Sequence, residues 1–314
     1  MNPFPLLRLP GVVMCNVFKS LSIGEKIKLS FCSKKTLAQI NNARLYSQKV
    51  DVELNCLRQK IRVYSENNKE PFEISIYQDS WKRHNSKTHQ CSIAYCSVGV
   101  IFFSKGVQTL WKNHQEGYIS IIKHLSKMFQ CNISTKSSCY ASDLFQPTIS
   151  KLFDRQLEFK TITIKLDGSE NQKLLWNQIS NKFGLVEDLR ISFVTDLGFR
   201  PVFTSWPQKI YIWRSYWFNL ESVLTCTCSR ITLELSNLGN KDLDEILKNW
   251  KAGRFPNLEL LDIYSDNIKT TGTTILGMNL EELNRKVIRT DDESKKANIR
   301  IGTGFMGMSV TPFQ

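Results

Sequence analysis

The sequence predicts a mixed chain, α+β grading into α/β, in three parts. Three short helices occupy residues 1–46. A segment at 50–280 opens with a small antiparallel β region and continues as an array in which short strands and helices alternate. Residues 281–314 read as an irregular, partly disordered tail. Two observations carry this prediction. Apolar residues recur at helical period in the first fifty positions, and strand-like runs recur every 21 to 29 residues beyond position 155.

Length and composition bound the classes. The 314 residues allow about two domains at roughly 150 residues each. With 41% hydrophobic and 23% charged residues, wholesale disorder is excluded. No apolar run approaches the roughly 18 residues that cross a bilayer, so no membrane partner is expected. Pro5, Arg8 and Pro10 interrupt the apolar run from Phe4 to Val13, which does not read as a secretory signal. The nine cysteines form no CxxC pair, and they are expected to be reduced thiols of a cytoplasmic or nuclear protein.

The net charge of +13 is uneven, because residues 1–50 alone carry +7. Three readings compete: a nucleic-acid footprint, complementarity to an acidic protein, or a solvated surface. In the first helix Val13, Val17 and Leu21 recur at i, i+4, i+8, with Met14 and Phe18 beside them. Pro10 suits its start. Ser22-Ile23-Gly24-Glu25 is a capping box for a second helix that carries Ile27, Leu29, Ser30 and Phe31. A third helix starts near Ser33 and directs Leu37, Ile40 and Leu45 inward. So small a unit has more apolar side chains than it can cover alone. They meet either a partner or the remainder of the same chain.

The run Leu9-Pro10, Val13-Met14, Val17-Phe18, Leu21, Ile27, Leu29-Ser30, Cys32-Ser33-Lys34 resembles an F-box. Gly11-Val12 departs from it where an acidic residue is common, and Thr36-Leu37 stands near the place of a frequent tryptophan. Trp217-Phe218-Asn219-Leu220, Ile231–Ser236, Leu243–Trp250 and Asn257–Ile263 resemble the F-box-associated domain, type 2, of the large nematode-type F-box family. The resemblance implies a substrate receptor of a Skp–cullin–F-box ubiquitin ligase. It implies contact with a Skp-type adaptor, and through it cullin, by Leu9, Pro10, Val13, Met14, Val17, Phe18 and Leu21. Charge on residues 1–50 would then steer docking on an acidic adaptor. A basic nucleic-acid-binding protein is the alternative. Against it, aromatics do not interleave with the basic residues as a stacking platform requires, so no nucleic-acid partner is expected.

Lys60–Tyr64 and Phe72–Tyr77 flank Asn67-Asn68 as a hairpin, and Ser92–Tyr95 and Val100–Phe103 continue the β region. Glu116–Phe129 has helical period. Thr161–Leu166, Leu189–Phe193, Ile210–Trp213, Ile231–Leu235 and Leu260–Ile263 read as the array's strands, with helices at Gln172–Phe183 and Lys241–Lys251. Their spacing, and Leu258-x-x-Leu261-x-Ile263, make the array leucine-rich-repeat-like. An ordinary α/β domain with uneven crossovers is the competing reading. Alternation places Ile162, Ile164, Leu189, Ile191, Ile210, Ile212, Ile231, Leu233, Leu261 and Ile263 in the core. It turns Thr163, Lys165, Arg190, Ser192, Tyr211, Trp213, Thr232, Glu234, Asp262 and Tyr264 outward. That outer ladder mixes aromatics with both charge signs and is the candidate surface for recruiting a target protein, unless a loop such as Phe199–Trp206 covers Tyr211 and Trp213.

No catalytic constellation is expected: GxSxG, P-loop and HExxH motifs do not occur. His84, His89, Cys91 and Cys96 have zinc-ligand chemistry without paired short spacers, so neither a metal nor a cofactor is expected. A receptor acts through proximity, which needs no catalytic residue of its own.

Overall fold

A computed structural model describes residues 9–42, 50–65, 68–81, 88–93, 96–136, 142–194, 200–269 and 274–312. The chain divides into two compact units, Met1–Glu158 and Phe159–Gln314. The boundary falls inside the segment 50–280 that the sequence reading kept whole.

In the first unit, helices α1 (Gly11–Ser20), α2 (Ile23–Cys32) and α3 (Lys34–Asn42) follow the predicted order. The capping box forms: Glu25 N–H donates to Ser22 Oγ (3.3 Å), and Ser22 N–H donates to Glu25 Oε2 (2.8 Å). These bonds hold the Glu25 carboxyl below the usual range. The following sheet has the order β7-β1-β2-β3-β6-β5-β4. Its strands are β1 (Val50–Asn55), β2 (Lys60–Ser65), β3 (Asn68–Gln78), β4 (His89–Ile93), β5 (Cys96–Phe103), β6 (Gly106–Trp111) and β7 (Ile133–Thr135). The β2–β3 hairpin is antiparallel as expected. The sheet is not purely antiparallel, because β3 pairs with β6 and β1 with β7 in parallel. Helix α4 (His114–Phe129) lies against β3 and β6, and α5 (Phe145–Phe153) packs on α4. The core joins Val52, Leu54, Ile61, Val63, Ile74 and Ile76 of the sheet to Tyr118, Ile121, Ile122 and Leu125 of α4.

In the second unit, β8 (Phe159–Leu166), β9 (Val186–Val194), β10 (Lys209–Ile212), β11 (Arg230–Leu233) and β12 (Leu260–Tyr264) pair in sequence order, all parallel. Their connections carry α6 (Glu170–Ile179), α7 (Leu220–Thr225) and α8 (Asn240–Lys251). The ten predicted core residues are all buried and form two aligned rows. One runs Ile162, Leu189, Ile210, Ile231, Leu261; the other runs Ile164, Ile191, Ile212, Leu233, Ile263. On α8, Leu243, Ile246, Leu247 and Trp250 are buried at the spacing of a single helical face.

The strand ends repeat as well. The N–H groups of Ser215, Ser236 and Ser265 donate to the carbonyls of Glu234, Tyr264 and Gly304 at 2.7, 2.8 and 2.9 Å. One step further, Asn237 Nδ2 donates to Tyr216 O and Asn267 Nδ2 to Asn237 O. Arg214 and Leu235, at φ of 58° and 50°, turn the chain into this ladder.

The tail corrects the expectation of disorder. Helix α9 (Leu280–Leu283) precedes β13 (Val287–Arg289), β14 (Lys295–Gly302) and β15 (Phe305–Pro312). β15 joins β12 antiparallel, and the edge order is β13-β14-β15-β12. Polar alternation over Lys295–Gly302 and the glycine turn at Gly304 (φ 76°) were the signal for a hairpin. The polar run before them masked it. Among the described residues no helix is long and apolar enough to cross a membrane.

Trp250 is 1% exposed, so Trp250→Ala should destabilise the second unit by about 3–5 kcal/mol. Leu174→Ala, on the open side of α6, should stay within about 0.5 kcal/mol of the parent. Urea unfolding followed by circular dichroism measures both.

Candidate functional site

Two surfaces hold the predicted site residues, one in each unit. On α1 the apolar stripe divides. Met14 and Phe18 are 6% and 0% exposed, inside the first unit, where α1 packs on α3. This corrects the expectation that both face outward: at 100° per residue they share a flank that α3 covers. Leu9, Val17 and Leu21 are half-buried, while Pro10 and Val13 are exposed. Val12, passed over because it lies off the i, i+4 stripe, is 77% exposed, the most open large apolar residue among those described. Of the predicted inward residues of α3, Ile40 is buried, Leu37 is half-buried, and Leu45 lies outside the described residues.

The charge of this module is also divided. Lys26 is fully buried, and burial lowers its pKa. Lys28 donates to the carbonyls of Phe103 and Ser104 at the end of β5, and its ammonium lies 5.7 Å from the centre of the Phe72 ring. Of the lysines read as a steering field, Lys26 is therefore withdrawn from the surface and Lys28 fastens α2 to the sheet. Lys19 and Lys35 remain exposed. Gly24 makes the approach of α2 possible: a Cβ there would lie 2.6 Å from the Phe72 ring.

A buried polar contact completes the attachment. Ser30 Oγ donates to Ile27 O at 2.7 Å and meets His124 Nε2 of α4 at 2.8 Å. With the hydroxyl proton on Ile27, the imidazole donates through Nε2. Burial, reinforced by Lys127, pushes His124 down to about 4.

On the second unit's outer face, strand register places Thr163, Arg190, Tyr211, Thr232 and Asp262 side by side. The bond from Glu234 N–H to Ile212 O carries the register one step on, so Trp213, Glu234 and Tyr264 form the next row. Trp213, Tyr264 and Arg190 are exposed, whereas Lys165, Ser192, Tyr211, Thr232, Glu234 and Asp262 are half-buried. Thr163, on β8, is buried, which corrects its expected outward exposure. The β12–β15 pairing brings in residues that the sequence reading left in a disordered tail. Phe305 packs against Tyr264 with ring centres 4.8 Å apart and planes tilted by 38°, and Arg300 approaches Asp262 at 3.6 Å. Gly307 leaves room for both, since a Cβ there would lie 2.7 Å from Phe305 and 2.8 Å from Asp262 Oδ1.

The 200–206 loop does not cover this face. Phe203 stacks on Trp206 (4.3 Å) and meets Trp176 of α6 edge-on (5.0 Å), and Trp176 Nε1 donates to Val202 O. The loop's aromatics thus join the helix layer with Trp217 and Phe218. Phe199 lies outside the described residues.

Desolvation raises the Glu234 carboxyl, helped by Asp262, and raises Asp262 against the pull of Arg300. Tyr211 is raised by burial and by Glu234.

Among the described residues no group of three or more His, Cys, Asp or Glu is placed to hold a metal. Of the four zinc-type residues, His84 lies outside them, His89 and Cys96 are exposed, and Cys91 is buried. Gly302, Gly304 and Gly307 have the spacing GxGxxG, but they sit on a β-hairpin rather than at a strand-to-helix turn and form no phosphate cradle. Among the described residues seven cysteines are free thiols. Cys56 is instead disulfide-bonded, against the expectation that all nine are reduced.

Residues 6–48 match the F-box domain, and residues 199–263 match the family described as F-box associated. The chain therefore carries an F-box followed by an F-box-associated segment. The first match contains α1 to α3; the second contains the aromatic loop, β10, β11, α8 and nearly all of β12. An uncharacterized protein of Caenorhabditis elegans is 20% identical over 276 residues, 83% of this chain. The chain spans about 60% of that relative's length. No solved structure matches.

His124 supplies a pH test. The unfolded imidazole titrates at about 6.5 and the folded one at about 4, so the unfolded state holds the extra proton between them. The stability due to neutral His124 is complete above pH ~6.5 and is lost as pH falls towards 4, about 3 kcal/mol in all. His124→Asn should flatten the fall in urea midpoint over that window relative to the parent.

Proposed function

We propose that this protein is the substrate receptor of a Skp–cullin–F-box ubiquitin ligase. One observation carries the reading: a matched F-box exposes Val12 and Val13 at the start of α1 and leaves Val17 and Leu21 half-open, while Met14 and Phe18 are committed to its own core. Exposed valines in the first turn of α1 and the exposed Lys19 in its last turn suit a groove on an acidic partner. The apolar contact would hold the complex, and charge would mainly raise the association rate. The adaptor face is Leu9, Pro10, Val12, Val13, Val17 and Leu21. Met14 and Phe18 act as the packing that fixes α1. The adaptor connects the receptor to cullin, and the conjugating machinery performs the transfer. The receptor is non-catalytic and raises the local concentration of a target's lysine.

The target is recruited by the outer face of the β8–β12 strands. Five parallel strands in sequence order, with a serine and asparagine ladder at the ends of β10, β11 and β12, support reading this array as leucine-rich-repeat-like. Such arrays present a continuous row of side chains to a partner.

A pull-down with purified Skp-type adaptor tests the reading. Leu9→Ala with Val17→Ala should reduce capture by about tenfold or more. Val12→Asp should do the same without lowering the melting temperature. Undiminished capture by both variants would remove the assignment.

A further inference from the structure

Building on the receptor reading, we propose that the row Trp213–Glu234–Tyr264 seats one cationic side chain, a lysine or arginine, of the protein segment that this face recruits. Neighbouring strands lie about 4.8 Å apart, so the two aromatic residues stand about 10 Å apart with the carboxylate between them. That is the separation at which two rings can flank an ammonium or guanidinium group while a carboxylate meets it from below.

Three observations converge on this row. Trp213 and Tyr264 are 41% and 39% exposed, large aromatics left open on a surface whose opposite side is packed. Glu234 has no ion-pair partner among the described residues, although Lys209, Arg190 and Arg230 of the same face are paired with Glu187, Asp188 and Glu259. A second carboxylate, Asp262, lies one step down the adjacent strand; among the described residues its Oδ1 is buried without a hydrogen bond and is paired with Arg300 at 3.6 Å. The middle of the face is therefore locally acidic on a chain of net charge +13. A basic segment is repelled by the molecule as a whole and attracted at this place, which makes the row selective.

The surrounding residues hold the row in position. Phe305 braces Tyr264, Gly307 admits Phe305, and the N–H groups of Ser215 and Ser236 fix the strand ends directly beyond Trp213 and Glu234. Tyr211 adds a hydroxyl beside the carboxylate. The seat is thus formed before a partner arrives, and little ordering cost remains for binding.

The probe is an acetylated ten-residue peptide of alternating Lys and Ala, with Gln–Ala and Glu–Ala peptides of the same length as controls. Each is titrated into the full chain at low salt, followed by calorimetry and tryptophan fluorescence. The lysine peptide should bind about tenfold or more tighter than the glutamine peptide. Glu234→Gln should abolish that preference, and Glu234→Lys should transfer it to the glutamate peptide. Equal binding of the lysine and glutamine peptides, or an unchanged preference in Glu234→Gln, overturns the proposal. If Glu234→Lys does not fold by circular dichroism, Glu234→Gln alone decides. Adaptor capture is measured on the same samples. Intact capture without lysine preference removes this seat and leaves the receptor reading standing. Lost capture with lysine preference intact does the reverse.

Discussion

The ladder at the ends of the parallel strands governs the geometry of the second unit. Each of Ser215, Ser236 and Ser265 sends its N–H forward to a carbonyl one strand along, and immediately after, the amides of Asn237 and Asn267 donate back to the preceding strand's end. To reach it the chain places Arg214 and Leu235 in left-handed backbone, which costs roughly 1–3 kcal/mol each for residues other than glycine. Backbone groups that would otherwise be buried and unpaired are satisfied in return. Because β10, β11 and β12 leave the sheet at the same level, the preceding residues of each fall into straight rows. The apolar rows close the core, and the opposite rows line up Trp213, Glu234 and Tyr264.

The first unit shows a different economy of side chains. Its helices are not a detachable plug. Gly24, Lys28 and Ser30 tie α2 to β3, β5 and α4, and Met14 with Phe18 fills the space between α1 and α3. What is left for a visitor is the opposite flank of α1 and the turn before it. A rigid module with a small open flank fits a docking role better than a floppy one, since its orientation is already set.

Much of this was legible in the residues. The capping box located α2, and period-2 alternation in runs such as Thr161–Leu166 and Ile210–Ile212 gave the strands, their facing and the whole core list. Two kinds of information were not local. Which flank of α1 is covered depends on α3, so Met14 and Phe18 were indistinguishable from Val13 and Val17 by spacing. The tail was misread because Asp291–Lys296 is polar, while the pairing of β15 with β12 joins positions such as Leu261 and Met308 that lie far apart in the chain. Phe305 and Arg300 were missed for the same reason, although the glycine-spaced run was visible. The parallel pairs β3–β6 and β1–β7 are likewise long-range, and no short-range signal marks them.

The closing hairpin has a consequence for the size of the molecule. A stack of parallel strands offers the same hydrogen-bonding groups at its final edge as at every internal one, and it would accept another strand from any chain with a matching face. Here β15 runs the opposite way along β12, β14 returns beside it, and the outermost strand is only the three-residue β13, flanked by Lys286 and ending at Arg289. Reversal of direction followed by a short, charged margin ends the series. The protein is thereby protected against growing into a filament by the same turn that completes its outer face.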